Sequence, residues 1–155
     1  MDDDTLKAKI REVLEEYTIL PPGGKKEFTL EGLVMVQPGL ADVMPDVGQR
    51  TWKLYYAAKA GNWPLAEFQW KEIQGLMEKG AFLRPKHEEA LYEFLENDWP
   101  ALGKAIKAQD FDAFDDAFAK AINQANAYHE LKEKPYLVWK LPDQPPPDLQ
   151  MEPKR

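Results

Sequence analysis

Cysteine and serine are both missing from this chain of 155 residues. Their absence excludes cysteinyl and seryl nucleophiles from any reaction that the protein could carry out. It also excludes disulfides, cysteine-ligated zinc and a haem tethered through thioether bonds, because each of these needs a thiol. Any chemistry must therefore use other side chains.

The chain also lacks long apolar runs and an excess of basic residues. No apolar run approaches the roughly 20 residues that a membrane-spanning helix needs. Lys and Arg total 20 against 27 Asp and Glu, a net charge of −7, whereas a surface that follows nucleic-acid phosphates needs positive charge. The 44% apolar and 30% charged content is typical of a globular protein, and the length predicts one core.

The first residues bear on the compartment. Met1 is followed by three aspartates, the opposite of the basic and then apolar pattern of a secretory signal. We expect a cytoplasmic protein, or a periplasmic one if a signal peptide has been removed.

Residues 1–26 are predicted to form a helical arm and a linker. Within residues 5–18 the apolar side chains follow the i, i+3, i+4, i+7 spacing of an amphipathic helix. They are Leu6, Ile10, Val13, Leu14 and Tyr17. The proline and glycine pairs of residues 21–24 cannot continue this helix. Residues 27–38 then form a connector, whose apolar run 33–36 is either a short strand or the first buried turn of a helix.

Four long amphipathic helices follow in the sequence. The first covers residues 39–60 and is closed by Gly61, and the second starts after an N-cap at Asn62 and ends before Gly80. The third covers residues 86–107, with a kink or restart at Pro100. The fourth is capped by Asp110 or Asp112 and runs to about residue 131.

These helices predict an all-α fold, because four helices of similar length joined by short turns pack most economically as an antiparallel four-helix bundle. We assign residues 27–141 to this bundle domain and residues 142–155 to a proline-rich tail. The segment 135–141 reads as extended and 142–147 as polyproline II, so the tail is expected to wrap the bundle.

The two histidines differ in their surroundings. His87 stands at a helix start beside acidic residues and is predicted to be solvated or to cap the helix. His129 follows Phe114, Phe118, Ile122 and Ala125 at helical spacings, so it lies on the apolar face. It is either a hydrogen-bonded core histidine, or an axial metal ligand or polar group of a pocket. A di-iron site is excluded because Glu-x-x-His is absent.

Aromatic side chains make up 12% of the chain, and most of them are expected to fill the core. Tyrosines and tryptophans near His129 would form a mainly apolar pocket with a few directed hydrogen-bond donors. Phosphate-binding loops are absent, and the carboxylates fall at positions expected to be exposed. The chain is therefore not expected to be an enzyme.

Several short motifs resemble one known family. They are Gln37-Pro38-Gly39-Leu40, the segment Tyr-Tyr-Ala-Ala-Lys-Ala-Gly-Asn-Trp at 55–63, Arg84-Pro85-Lys86-His87, and Asn126 to His129 leading into Pro135-Tyr136 and Leu141-Pro142. Together they span Gln37 to Pro147 and resemble small bacterial four-helix c-type cytochromes, which are similar to the cytochromes c-prime. In that family the fourth helix ends in Cys-Asn-x-Cys-His, whose thiols bind haem covalently and whose histidine ligates the iron.

The resemblance implies a member of this family without the haem attachment. The corresponding segment here is Ala125-Asn126-Ala127-Tyr128-His129, in which a methyl group and a phenol replace the two thiols. The ring of Tyr128 can fill space that a porphyrin needs, so we expect no cofactor. The alternative is non-covalent haem b, held by His129 with Met35 or Met44 as the second iron ligand.

The expected function is that of a haem-free, cytochrome-like bundle that binds a small ligand or assembles with a protein partner. The predicted ligand pocket is lined by Trp52, Tyr55, Tyr56, Tyr128, His129 and Trp139. A small, flat, apolar molecule would suit it. If the pocket is closed, the partner is a protein, which would contact the arm at 5–18 or the helix pair 39–80. A homodimer is also expected, because bundles of this kind often pair through two helices. The alternative function is electron transfer or gas binding through haem b at His129.

Overall fold

The computed structural model describes residues 2–20, 23–25 and 27–154, which belong to two compact units, residues 1–38 and 39–155. The regular structure is almost entirely helical, with one two-stranded sheet, and this confirms the all-α class. Among these residues no helix has the length and apolar character that crossing a bilayer demands.

The N-terminal unit consists of α1 (Asp3–Glu16), β1 (Thr18–Ile19), β2 (Phe28–Thr29) and α2 (Leu30–Met35). β1 and β2 are antiparallel, with Thr18 opposite Thr29. The carboxylate of Asp2 caps α1 by accepting from the Thr5 amide at 2.8 Å. Pro21, Pro22 and Lys26 of the predicted linker lie outside the described residues.

The predicted connector 27–38 belongs to this N-terminal unit. Its apolar run 33–36 forms the end of α2 and the residue after it, so it is helical. It is not the buried turn that was the helical alternative, because Leu33 is half-buried and Val34, Met35 and Val36 are exposed. The pairing of β2 with β1 links the connector to the segment that follows α1, and both belong to the unit of residues 1–38.

The second unit, called here the helical unit, contains five α-helices. They are α3 (Leu40–Lys59), α4 (Trp63–Leu83), α5 (Glu88–Asn97), α6 (Trp99–Ala108) and α7 (Phe111–Leu131), with a 3₁₀ turn at Pro85–His87. Asn62 caps α4 and Asp110 caps α7, as two of the predicted caps require. Gly61 has a φ of +73°, the left-handed conformation expected at the end of α3.

One helix boundary differs from its prediction, and one predicted break is confirmed. α4 passes through Gly80 and ends at Leu83, because the glycine allows close packing rather than stopping the helix. A Cβ at position 80 would lie 2.8 Å from Cδ2 of Leu40. The third predicted helix restarts before Pro100, which occupies the first turn of α6, where a missing amide donor costs little.

The core of the helical unit is built from the apolar stripes of these helices. α4 packs against α3, α5 and α6, and α7 packs against α3, α5 and α6. The largest fully buried side chains are Leu54, Ile73, Leu102 and Phe114. Trp70 stacks on Trp99, with ring centroids 6.4 Å apart, and its indole nitrogen donates to the Trp99 carbonyl at 3.3 Å. The core therefore joins every long helix of this unit.

Candidate functional site

The C-terminal end of α7 holds the segment that follows it. Asn126 and His129 are three residues apart and share one face of the helix. The Asn126 amide accepts from the Trp139 amide at 2.9 Å and donates to the Trp139 carbonyl at 3.0 Å. The imidazole Nδ1 of His129 lies 2.7 Å from the Leu137 carbonyl oxygen. These three hydrogen bonds fix residues 137–139 on α7.

The contact with Leu137 determines how the proton is placed on His129. A carbonyl oxygen can only accept, so Nδ1 must carry the proton in this hydrogen bond. In the neutral ring the lone pair is then on Nε2, which makes no hydrogen bond within the described part of the chain. Histidines that ligate metals are commonly oriented by such a hydrogen bond from the other ring nitrogen. His129 therefore keeps one nitrogen able to act as a ligand.

Tyr128 points into the helical unit. Its ring packs edge-on against Phe94, with centroids 6.4 Å apart, and it is half-buried. Burial raises the pKa of its hydroxyl, and a hydrogen bond to Glu93 raises it further. The ring of Tyr128 therefore packs between α5 and α7. His129 is the next residue in the chain, but it contacts Leu137 instead.

Two aromatic residues of α3 bind the proline-rich tail. The indole nitrogen of Trp52 donates to the Gln144 carbonyl at 2.7 Å, and the Tyr56 hydroxyl donates to the Pro142 carbonyl at 2.9 Å. Lys53 adds an ion pair with Asp148, at 2.6 Å. The polar atoms of Trp52 and Tyr56 are therefore engaged by the protein's own backbone.

Tyr55 lies near the opposite end of α7. Its hydroxyl donates to Asp115 at 2.9 Å, and its ring lies 4.8 Å from that of Phe118. Burial, followed by the hydrogen bond to Asp115, raises the pKa of Tyr55 to about 12. Phe118 and His129 are eleven residues apart, which at about 1.5 Å per helical residue is roughly 16 Å along α7.

Trp139 packs between α3 and α7. Its indole nitrogen lies 3.0 Å from where a Cβ on Gly48 would be, and its ring lies 6.4 Å from that of Phe118. A side chain at position 48 would push the indole away. The glycine therefore allows Trp139 to approach the backbone of α3.

The six predicted site residues thus fall into two groups. Trp52, Tyr56 and His129 bind the backbone of residues 137–144, and Trp139 is part of that segment. Tyr55 and Tyr128 contact neighbouring helices at different heights of α7. Met44 and Met35 are the alternative second iron ligands of the haem b hypothesis. Met44 packs against the core of the helical unit. Met35 belongs to the N-terminal unit and is 76% exposed.

Each unit has a surface depression among its described residues. One, of about 330 Å³, lies in the N-terminal unit and is lined by Arg11, Leu14, Glu15, Thr29, Leu30 and Glu31. The other, of about 280 Å³, is lined by Trp63, Pro64, Glu67, Ile106, Lys107 and Gln109. Neither is lined by a predicted site residue. The described residues contain no group of three or more His, Asp or Glu side chains arranged to hold a metal ion.

Asn126 is the residue that sequence reasoning passed over. Its side chain forms hydrogen bonds with both backbone polar atoms of Trp139. Its spacing of three residues from His129 was the available signal, since such a pair faces one side of a helix. The partner backbone, ten or more residues later, could not be read from that spacing.

Comparison with known proteins identifies no relative: no family model, curated protein or solved structure matches this chain.

Proposed function

We propose that the protein is a haem-free relative of the four-helix c-type cytochromes that acts as a protein-assembly module. One observation carries the proposal: the chain's own backbone and carboxylates occupy the polar atoms that a ligand pocket would offer. Trp52, Tyr55, Tyr56 and the Nδ1 atom of His129 each have a partner at 2.7–2.9 Å. A small ligand would have to displace these contacts, at a cost in binding free energy.

The bundle topology is part of the proposal. We expect α3, α4, the pair α5 and α6, and α7 to form an antiparallel four-helix bundle. Support comes from one direct contact between α3 and α7 and one through the following segment. Tyr55, late in α3, meets Asp115, early in α7, whereas Gly48, earlier in α3, meets Trp139, which Asn126, late in α7, holds by hydrogen bonds. Two such contacts favour helices that run in opposite directions.

Absence of haem is supported by two features of the described residues. Residues 125 and 128 offer no thiol for covalent attachment. Where the family has the second cysteine, Tyr128 has an aromatic ring that already packs on Phe94. A porphyrin placed beside His129 would have to move that ring and the segment 137–139.

Non-covalent haem b is the second candidate function, for electron transfer or gas binding. The observation that favours it is Nε2 of His129, which has no hydrogen-bond partner in the described part of the chain. Met44 is the better placed of the two proposed second ligands, because it lies in the helical unit together with His129. When bound, haem would supply a redox-active iron.

A haem titration separates the two candidates. We expect the purified full chain to be colourless, and added hemin to give no Soret band beyond that of free hemin. The matched variants are His129→Ala and His87→Ala, which remove the two imidazoles of the chain one at a time. A Soret shift that is retained in His87→Ala and lost in His129→Ala would contradict the haem-free proposal and establish the second candidate.

A further inference from the structure

The N-terminal unit leaves its apolar side chains in solvent. Neither α1 nor α2 contains a buried residue. Its large apolar side chains with an exposed fraction of 37% or more are Leu6, Ile10, Val13, Leu14, Tyr17, Ile19, Leu20, Leu30, Val34, Met35 and Val36. Scattered apolar side chains are normal on surfaces, but a set of this size in so short a segment typically marks an interaction site.

A unit of this size needs an additional source of stability. Chains below about 40 residues are rarely stable without disulfides, a bound metal or oligomerisation. The chain has no thiol, and its described residues contain no cluster of metal ligands. Association with another polypeptide surface is the remaining source.

The exposed face of α1 has the pattern of a helix-pairing seam. Leu6, Ile10, Val13 and Tyr17 are separated by four, three and four residues, the alternation of a and d positions in a heptad. The groove between α1 and α2 is lined by Arg11, Leu14 and Glu15 from α1. Arg11 and Glu15 face a different side of the helix, and Leu14 lies at the edge of the seam. α2 therefore leaves this seam open.

We propose that two copies of this chain associate through the N-terminal units, with α1 pairing antiparallel to α1 of the second copy across the Leu6–Tyr17 seam. The inference rests on the proposed assembly role and names its surface and its partner.

The charges beside the seam favour the antiparallel arrangement. Lys9 and Glu16 are seven residues apart on the same edge of the seam. If Ile10 faces Val13 of the second copy, Lys9 comes next to Glu16 of that copy, and the twofold axis repeats the pair. Within the described residues Lys9 and Glu16 have no ion-pair partner, whereas Lys7 is paired with Asp3 at 2.6 Å. A parallel pair would place Asp3 against Asp3.

Sedimentation equilibrium of the full chain over a range of concentrations tests the interface. We expect a dimer whose dissociation constant rises by at least about 100-fold in Ile10→Glu, since two buried charges enter the seam. Lys9→Glu and Glu16→Lys should each raise it by about tenfold, because two attractive pairs become repulsive. The double variant should return to within about threefold of the parent, because the pairs are restored with reversed sign.

The control is Glu12→Lys, which makes the same charge change on another side of α1, and it should leave the dissociation constant unchanged. Helix content by circular dichroism is measured for each variant so that loss of α1 is recognised. A chain that is monomeric at every concentration, or a dimer indifferent to Ile10→Glu, overturns the proposal. So does a double variant that stays as weak as the single ones. The hemin titration reads a different property, so failure here is distinct from failure of the haem-free proposal.

Discussion

The N-terminal unit and the helical unit both contain amphipathic helices, but the apolar faces of these helices differ in how much they are buried. α1 and α7 both begin with an aspartate cap and carry an apolar stripe. Phe114 in α7 is fully buried, whereas Val13 in α1 is 65% exposed. Periodicity therefore predicts which face of a helix is apolar. The number of neighbouring helices determines whether that face is buried.

The physical reason is the ratio of surface to volume. In the helical unit each long helix has at least two helical neighbours, so its stripe is enclosed. In the N-terminal unit a helix of fourteen residues, a helix of six and a two-stranded sheet leave most of their surface in solvent. Small units bury a smaller fraction of their surface on folding.

The largest expected effect is a core truncation in the helical unit. We expect Phe114→Ala to lower the free energy of unfolding by about 3–5 kcal/mol, because it opens a cavity among fully packed side chains. The matched variant Val13→Ala on α1 should change it by less than about 0.5 kcal/mol. Urea unfolding followed by tryptophan fluorescence reports the helical unit, since all five tryptophans lie after residue 38. If the two variants lowered the free energy of unfolding equally, the stated difference in burial between the units would be contradicted.

An intermediate effect is expected from two glycines in helices of the helical unit. A Cβ on Gly103 would lie 2.6 Å from the indole of Trp70, whereas one on Gly75 would meet nothing within 4 Å. Gly103→Ala should cost about 1–3 kcal/mol by overpacking, less the gain in helix propensity. Gly75→Ala should instead stabilise by about 0.5–1 kcal/mol. The same urea titration measures both. Stabilisation by Gly103→Ala would show that the Trp70 ring can move aside without loss of packing.

The smallest effect distinguishes the two units by their helix caps. Asp110 accepts from the Ala113 amide at 3.0 Å and Asp2 from the Thr5 amide at 2.8 Å. Asp110→Ala should lower the free energy of unfolding of the helical unit by about 1 kcal/mol. Asp2→Ala should reduce the helix content seen by circular dichroism and leave tryptophan-detected unfolding unchanged. A shift of that transition by Asp2→Ala would mean that the two units unfold together.

The contacts of the predicted site residues could be anticipated only in part. Helical spacing placed His129 on the inner side of its helix, and a carbonyl of the following segment satisfies it. The aromatic residues of α3 were expected to share a pocket with it, but Trp52 and Tyr56 bind the tail and Tyr55 turns to Asp115. Those contacts join residues 60 or more apart in the chain, which no local pattern encodes.

The sequence by itself determined the helical class, the cap at Asn62, a break near Pro100 and the exclusion of thioether chemistry. These follow from local backbone preferences and from the presence or absence of an atom type. Only the tertiary structure decided that α4 continues through Gly80, that Asn126 holds the Trp139 backbone, and that α1 keeps its seam in solvent. Each of these depends on which distant segment approaches a residue, and that is a property of packing rather than of periodicity.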